Sequence, residues 1–386
     1  MGAKLYPNRL FISSIFINLL PLSKETINFY MQELLQELYK LDLSSQNYSP
    51  RTLTLESKHS YEIVGITQSG KTKVIKKHLL EHKKSSYLYI DCSDLRLNIA
   101  DLNEALNDFC TKHHINIVAL DNYNPEILLP KVECIIIASE YKHHFSSLTS
   151  VRLFALTYEE FLAHEERYDS SAIRNFALLG GMPRVHSIAS DERASYMQKS
   201  LRLALDDVGL AILSLCAKLH TQKVSAFMIY ERLKATHKIS KDRLYKSYED
   251  LLLRGYIYAQ EKLNSPSATK RLFLADPFFK QALSVEKNFG RLFENIIFLE
   301  LIKRGYVSYY DDGIDFYIPS RGEVVLSAPF ADESALFKKI AQIEAFLALH
   351  QVAKVSIITM SSEADLKHPI SQIALVPFDE WALGEL

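Results

Sequence analysis

A glycine-rich segment at residues 65–72 brings together the residue types that bind phosphate. It reads Gly-Ile-Thr-Gln-Ser-Gly-Lys-Thr and matches the pattern G-x-x-x-x-G-K-[ST] at every fixed position. Glycine lets the backbone curl so that successive N–H groups point at one anion, and a following helix adds its positive N-terminal dipole. The lysine can reach the β- and γ-phosphates, and the threonine hydroxyl can join the coordination shell of Mg²⁺. The segment therefore predicts a loop that binds ATP and Mg²⁺. The alternative is a chance match in an unrelated turn. The predicted binding residues are Gly65, Gln68, Ser69, Gly70, Lys71 and Thr72.

An acidic residue downstream of the loop is placed to orient the metal. The apolar run at residues 115–120 has the character of a strand and is followed directly by Asp121. A carboxylate there can hold Mg²⁺ through water, while Thr72 supplies the direct hydroxyl ligand. The alternative role for Asp121 is to cap a helix or a turn. Asp91 closes another predicted strand and is a less favoured second acid.

Two further polar residues bear on hydrolysis. ATPases that use a general base usually place Glu directly after the metal-orienting Asp, whereas this chain has Asn122. An amide can orient a water molecule but cannot accept its proton. Ser139 ends the predicted strand 134–139, a position from which a side chain can sense a γ-phosphate, with capping of the strand as the alternative. The predicted catalytic set is therefore Asp121, Asn122 and Ser139, and we expect weak or absent turnover.

The elements that would position these residues alternate between strand and helix. Five apolar runs have the length and the β-branched or aromatic content of strands, at 61–64, 87–91, 115–120, 134–139 and 151–156. Helices fit between most of them, beginning with residues 73–81 directly after the loop. Strands that alternate with helices predict a parallel sheet covered on both faces.

Six segments of the chain carry a resemblance to one group of ATPases. They are the loop at 65–72, Leu120-Asp121, RLFALTYEEFL at 152–162, LGGMP at 179–183, RLFLADP at 271–277 and LFEN at 292–295. In this order they resemble the prokaryotic AAA-type ATPases, close to the archaeal-ATPase and signal-transducing NTPase clade. The likeness spans about residues 55–360. It implies an α/β fold: a P-loop NTPase parallel sheet with a helical lid, a winged-helix module and a smaller C-terminal α/β domain of restriction-endonuclease-like character.

The chain departs from this group at two places. The family typically has Asp-Glu where this chain has Asp121-Asn122. The family's C-terminal domain typically shows an E-V-D-F strand and an E-x-K strand, which here correspond to Gly313–Phe316 and to Val324–Ala328, the latter without Glu or Lys. A nuclease site of this kind needs several carboxylates and a lysine. Glu294 and Asp315 alone are too few, which predicts an inactive domain that serves structure or a protein partner.

Residues 218–275 fit a winged helix. Ser225 can cap a helix at 226–234, and Ser240 can cap a second helix at 241–254. Gly255 would end the second helix, and the two runs 256–260 and 270–274 would form the wing.

Charge is distributed unevenly between this module and the rest of the chain. Lys and Arg total 45 against 46 for Asp and Glu, yet residues 218–275 hold twelve basic and five acidic side chains, so +7 there is balanced by −8 elsewhere. The start of the second helix is where winged helices contact the major groove of double-stranded DNA. The predicted DNA-contacting residues are Lys241, Arg243, Tyr245 and Lys246; the alternative is an interdomain spacer whose charge faces the acidic remainder.

Composition excludes several classes of protein. With 48% apolar and 24% charged residues among 386, the chain is neither disordered nor collagenous. Its four cysteines form no CxxC pair, which predicts reduced thiols and a cytoplasmic location. The apolar run at residues 10–22 is too short to span a bilayer, so we expect a buried helix or strand there and no membrane partner.

These observations predict an ATP-binding AAA-type protein that acts as a nucleotide-dependent switch. The alternative is a DNA-binding regulatory protein in which nucleotide is structural, and a third option is an active ATPase whose base lies elsewhere. The predicted domains are an N-terminal helical segment (1–58), the P-loop core (59–160), a helical lid (161–217), the winged helix (218–275) and the inactive nuclease-like domain (276–386).

Overall fold

The computed structural model describes residues 24–44, 48, 50–166, 168–169, 171–330, 333–369 and 371–384. The apolar run at residues 10–22 lies outside these ranges. The first described helix, α1 (Lys24–Lys40), agrees with the helix predicted for this segment. Met31 and Leu35 of α1 share a hydrophobic core with Leu102 and Phe109. Within the described part of the chain, no helix combines the length and apolar content needed to cross a membrane.

A five-stranded parallel sheet follows α1 and confirms the predicted P-loop NTPase fold class. Its strands are β1 (Tyr61–Val64), β2 (Tyr87–Asp91), β3 (Ile117–Asp121), β4 (Cys134–Ser139) and β5 (Thr149–Arg152), and its helices are α2 (Lys71–Leu79) and α3 (Ile99–His113). The spatial order is β2-β3-β4-β1-β5. Because β4 pairs with both β1 and β3, it separates the strand that carries the loop from the strand that ends in Asp121. Because these strands are parallel, the carboxyl ends of β1, β3 and β4 lie on the same side of the sheet.

Three of the predicted elements in this region have different bounds. The third strand was predicted at 115–120 but spans Ile117–Asp121. The helix after the loop begins at Lys71 rather than at residue 73. The last strand was predicted at 151–156 but spans Thr149–Arg152. Residues beyond it remain apolar, but the N–H of Leu156 donates to the carbonyl of Gly181, 2.8 Å away, so the chain leaves the sheet for the following helices.

A helical region follows the sheet. It consists of α4 (Tyr158–Glu165), α5 (Ala172–Leu179), α6 (Pro183–His186), α7 (Arg193–Ala204) and α8 (Asp207–Leu219). Thr157 and Glu160 form a capping box at the start of α4. Between α5 and α6, Gly180 has φ +67°, and a Cβ on Gly181 would lie 2.5 Å from the carbonyl oxygen of Leu156. This glycine pair therefore permits a close backbone approach that a larger residue would prevent.

The helix–helix–ribbon module at residues 218–275 contains the predicted elements. They are α9 (Ala226–Leu233), α10 (Lys241–Arg254) and the antiparallel strands β6 (Ile257–Gln260) and β7 (Arg271–Leu274). Ser225 and Ser240 accept hydrogen bonds from the backbone of the first turns of α9 and α10, and Gly255 ends α10 with φ +85°. Leu244 and Leu251 of α10 belong to the same hydrophobic core as Ile212 and Leu213 of α8. The module thus packs on the helical region.

The C-terminal part is a second α/β unit built on a mixed six-stranded sheet. Its elements are α11 (Pro277–Leu283), α12 (Phe289–Lys303), β8 (Tyr309–Asp311), β9 (Ile314–Ile318), β10 (Glu323–Ser327), α13 (Glu333–Leu349), β11 (Lys354–Thr359), β12 (Ala364–Leu366), β13 (Gln372–Pro377) and α14 (Phe378–Leu383). The spatial order is β12-β13-β11-β10-β9-β8, with β10, β11 and β13 parallel.

Candidate functional site

The glycine-rich loop joins β1 to α2 and forms a cradle of backbone groups. A Cβ on Gly65 would lie 2.5 Å from the carbonyl oxygen of Leu153, so this position has no room for a side chain. Gly70 has φ +99° and precedes α2 without a side-chain cap. The first N–H groups of a helix have no partner within it, so the N-terminus of α2 offers donors and a positive dipole to an anion.

Lys71 lies at the centre of this cradle. Its ammonium group donates to the carbonyl oxygens of Gly65 and Ile66 at 2.7 and 3.0 Å. Burial lowers the pKa of Lys71, while the nearby carboxylates of Glu140 and Asp121 raise it. Two carbonyl groups thus hold the ammonium group against the loop, and the carboxylates of Glu140 and Asp121 act on its charge.

The predicted metal residues lie together. The hydroxyl of Thr72 donates to Oδ2 of Asp121 at 2.5 Å, and the hydroxyl of Tyr89 donates to the same oxygen at 2.9 Å. Asp121 is only 1% exposed, and its Oδ1 accepts a bond from the N–H of Asn122. Hydroxyl and carboxylate oxygens are the ligands that Mg²⁺ prefers, so this donor set, beside an uncapped helix end, fits a magnesium-bound phosphate.

Asn122 lines the cleft in front of the loop in an unusual backbone conformation, with φ +52°. Its amide Nδ2 donates to Oδ1 of Asp91 at 2.9 Å. Asp91 ends β2, and Asn122 directly follows β3, whose last residue, Asp121, is in register with Asp91. The position after Asp121 therefore holds an amide that is already engaged with the second acid.

The structure places Ser139 away from the cleft lining. Its hydroxyl donates to the carbonyl of Tyr141 at 2.5 Å and lies 3.1 Å from Nε2 of His143, so it organises the turn after β4. The next residue, Glu140, lines the cleft instead. Sequence reasoning missed Glu140; an acidic residue directly after the polar end of the strand was the available signal.

Glu140 connects the loop to the helix–helix–ribbon module. Its carboxylate accepts a hydrogen bond at 2.9 Å from Nε of Arg254, the last residue of α10, and a further bond from Nη2. It also accepts a bond from the hydroxyl of Tyr256 at 3.0 Å. That hydroxyl in turn accepts a bond at 3.5 Å from the N–H of Thr67 in the glycine-rich loop. Burial and the Glu140 carboxylate raise the pKa of Tyr256, which keeps its hydroxyl protonated as a donor.

The helical region forms the opposite wall of the cleft, whose volume is about 1340 Å³. The hydroxyl of Tyr196 donates to Oε1 of Gln68 in the loop at 2.6 Å. His164 and Arg184 line the same wall. Gln68 therefore already has a partner from α7, and Arg184 supplies a positive charge in front of the loop.

A smaller apolar cleft of about 260 Å³ adjoins the first one. Leu53, Leu55 and Val74 line it, and it shares Gly70 and Pro183 with the larger cleft. The segment before β1 is held there by one arginine. The guanidinium of Arg51 donates to the carbonyls of Ser69 and Phe154 at 2.9 and 2.8 Å and pairs with Glu160 at 3.1 Å.

The predicted DNA-contacting residues have different surroundings. Lys241, Arg243 and Lys246 are exposed at the start of α10, whereas Tyr245 is half-buried against the hydrophobic core. Arg243 pairs with Asp206 at 3.4 Å. Four more basic residues of the module form ion pairs with carboxylates from outside residues 218–275. The pairs are Lys223 with Asp312, Arg254 with Glu140, Lys262 with both Asp311 and Asp312, and Arg271 with Glu294. Much of the +7 charge is thus met by the acidic remainder of the chain, which favours the spacer interpretation.

The two carboxylates of the predicted nuclease-like domain are each engaged by a cation. Glu294 on α12 pairs with Arg271 of β7. Asp315 on β9 accepts bonds from Nζ of Lys339 at 2.8 Å and from the N–H of Ser327 at 2.9 Å. These contacts tie the C-terminal sheet together and link it to the module.

The chain is similar to known proteins both in sequence and in structure. No protein-family model matches the chain. It is 25% identical, over an alignment that covers 83% of this chain and 87% of the relative, to the uncharacterized protein MJ1544 of Methanocaldococcus jannaschii. Among solved structures it is similar to the Orc1 protein of Aeropyrum pernix in complex with DNA, with a TM-score of 0.28 and 14% identity over 73% of this chain and 94% of that one. Neither similarity assigns the chain to a family.

Proposed function

We propose that the chain binds ATP with Mg²⁺ and uses the nucleotide to set the position of the helix–helix–ribbon module. The observation that carries this proposal is the contact between Glu140, at the edge of the phosphate cradle, and Arg254, at the end of α10. A nucleotide-binding loop and a mobile element are coupled only when both contact a common group whose partners change on binding. Glu140, Arg254 and Tyr256 are such a group, because they lie between the loop and the module.

The residues of the loop support the binding of a triphosphate. The backbone N–H groups at the start of α2 and the ammonium of Lys71 would hold the phosphate oxygens, and Thr72 with Asp121 would hold the metal. Bound Mg²⁺ supplies charge neutralisation between the phosphate groups. The apolar cleft beside Arg51 is of suitable chemistry for a nucleobase, since Leu53, Leu55 and Val74 line it next to Gly70.

Slow hydrolysis follows from the two positions that could hold a base. Asn122 cannot accept a proton, and its amide is bonded to Asp91. Glu140 has a carboxylate in the cleft, but Arg254 and Tyr256 occupy its oxygens. Release of Glu140 from Arg254 would make it available, so the option of an active ATPase whose base lies elsewhere corresponds to this residue.

We further propose the predicted domain boundaries. Residues 218–275 would form a winged helix, and residues 276–386 would form an inactive nuclease-like domain. The paired states of Glu294 and Asp315 support an inactive C-terminal domain. The alternative function, a DNA-binding regulatory protein, is supported by the exposure of Lys241 and Lys246 at the start of α10.

A thermal-shift titration tests nucleotide binding. Mg·ATP should raise the unfolding temperature of the wild-type chain by binding the folded state. Lys71→Ala should abolish this rise, whereas Lys112→Ala, a change of an exposed lysine on α3, should leave it unchanged. Equal shifts in the wild type and Lys71→Ala would contradict the proposal. Amide hydrogen exchange of α10 with and without Mg·ATP then tests the switch, which requires a nucleotide-dependent change in its protection.

A further inference from the structure

Three metal-ligating side chains meet at the rim of the helical region. His164 and Glu165 end α4, and His186 ends α6, and their ligand atoms all lie within 4.8 Å of one another. The two imidazole rings are nearly perpendicular, at 86°, with centroids 5.0 Å apart. Among the described residues, no other group of three His, Cys, Asp or Glu side chains converges in this way.

The hydrogen bonds of His186 leave a contradiction that a cation resolves. Nε2 lies 3.1 Å from the carbonyl oxygen of Gly180, and Nδ1 lies 2.7 Å from Oε1 of Glu165. Both neighbours are acceptors, whereas a neutral imidazole has one donor nitrogen and one lone pair. If Nδ1–H donates to Glu165, the Nε2 lone pair faces the carbonyl of Gly180. If Nε2–H donates to Gly180, the Nδ1 lone pair faces a carboxylate oxygen, and a proton or a metal ion between these two atoms removes the repulsion.

The position of His186 suits a metal ligand. Its side chain is 2% exposed, so its surroundings fix the orientation of the ring. A metal ion at Nδ1 needs the neutral ring with its proton on Nε2. A carbonyl that accepts from this second ring nitrogen, as that of Gly180 does here, is the usual support of a histidine ligand.

We propose that Nδ1 of His186, the imidazole of His164 and the carboxylate of Glu165 bind a divalent transition-metal ion of the zinc type. Two nitrogens and one carboxylate oxygen are a ligand set that zinc accepts, with water as the fourth ligand. Tetrahedral zinc separates its ligand atoms by roughly 3.3 Å, so the 2.7 Å between Nδ1 and Oε1 needs to open by only about half an ångström. His164 also lines the large cleft.

Such an ion would fasten α4 to the turn that carries the glycine pair. The carbonyl of Gly180 contacts Nε2 of His186. The carbonyl of Gly181 accepts a hydrogen bond from the N–H of Leu156, and its N–H donates to the buried carboxylate of Asp276. Pro183, at the start of α6, lines both clefts. The metal would therefore fix the wall opposite the glycine-rich loop. The site uses none of the predicted phosphate or magnesium ligands, so it does not depend on nucleotide binding.

The test is a Zn²⁺ titration by calorimetry on the tag-free chain after removal of metal by chelator, without nucleotide. We expect one ion per chain, a rise in unfolding temperature with Zn²⁺, and visible d–d bands of four-coordinate geometry when Co²⁺ replaces Zn²⁺. His186→Gln, His164→Asn and Glu165→Gln should each weaken binding at least roughly tenfold. His144→Ala, which changes an exposed histidine outside the cluster, and Asp121→Asn should leave it unchanged.

Three results would overturn the inference. One is the absence of Zn²⁺ binding tighter than about 1 mM, which would leave His186 and Glu165 as an ordinary ion pair. Another is binding that none of the three variants weakens. The third is binding lost in Asp121→Asn, which would place the ion at the predicted magnesium residues. His164→Asn, at the cleft surface, keeps the test decisive if a change at the buried His186 prevents folding.

Discussion

The guanidinium of Arg254 lies against the carboxylate of Glu140, with Nε donating at 2.9 Å and Nη2 making a second bond. The side chains are 9% and 19% exposed, so the pair is largely removed from water. Nη2 also donates to the carbonyl of Ala204 at 2.8 Å, at the end of α7. One guanidinium thus joins the edge of the parallel sheet, the helical region and the module.

Removal of this arginine should uncouple the module from the nucleotide. Arg254→Ala leaves a largely buried carboxylate without its cation, which typically costs about 3 kcal/mol of stability. It should also abolish the nucleotide-dependent change in hydrogen exchange of α10. Chemical unfolding and hydrogen exchange, each with and without Mg·ATP, measure the two effects separately.

The control for this prediction is Arg243→Ala, which removes an arginine from the same helix. Its partner Asp206 and Arg243 are both more than half exposed, so the loss of stability should be small and the exchange response intact. Arg254→Met combined with Glu140→Gln should recover stability without recovering the response. A response that persists in Arg254→Ala would contradict the proposed coupling.

The base position can be rebuilt, but only if Asp91 is changed with it. In Asn122→Glu the new carboxylate replaces an amide that donates to Asp91 at 2.9 Å, so two like charges would meet. Asn122→Glu with Asp91→Asn restores a donor–acceptor pair. We expect the double variant to release phosphate from ATP faster than the wild type, by roughly tenfold or more, and the single variant to gain less.

Phosphate release must be compared under saturating nucleotide, with Lys71→Ala in each background as the control for contaminating activity. If the double variant keeps the thermal shift with Mg·ATP but gains no rate, the missing carboxylate at residue 122 is not what limits turnover.

His220 should make the protein less stable in mild acid. It is 1% exposed at the end of α8, and burial lowers its pKa to about 4. Between this value and the ordinary value near 6.5, the unfolded chain binds a proton that the folded chain does not. The free energy of unfolding is therefore highest above pH 6.5 and falls as the pH decreases toward 4. The loss due to His220 is roughly 2 kcal/mol at pH 5.

His220→Gln should therefore lose less of its unfolding temperature than the wild type between pH 7.5 and 5. The comparison is needed because Asp276 acts in the opposite sense. Burial raises the pKa of Asp276 to about 6, so its contribution to stability falls as the pH rises from 4 to 6. Parallel pH profiles for the two proteins would contradict the role assigned to His220.

The sheet was predictable because its strands are short apolar runs with polar ends. Tyr61–Val64, Tyr87–Asp91 and Cys134–Ser139 have the predicted bounds. The last strand was not, since Ala155 and Leu156 belong to hydrophobic cores of the helical region rather than to that of the sheet. Local spacing could not show that the N–H of Leu156 would donate to the carbonyl of Gly181, 25 residues later in the chain.

The site was predictable only where its residues are close in sequence or end a strand. The loop and Asp121 meet these conditions, and Thr72 contacts Asp121 as the parallel topology requires. The pair Glu140–Arg254 joins residues 114 positions apart, and its formation depends on how α10 packs. For the same reason the charge of the module could be counted, but the carboxylates that oppose it could not be assigned.

Duplex DNA binding tests the remaining role of α10. Lys241 and Lys246 are exposed at its start, so they are the cations best placed to contact phosphates. Each phosphate contact contributes about −0.9 to the slope of log K against log salt. Lys241→Glu with Lys246→Glu should therefore make the slope less steep by about 1.8 and weaken binding at low salt. Lys112→Glu with Lys131→Glu makes the same change in net charge at exposed residues outside the module and should leave the slope unchanged. A wild-type affinity that is independent of salt, or equal losses in both double variants, would favour the module as a spacer whose basic residues serve Asp206, Glu140 and Glu294.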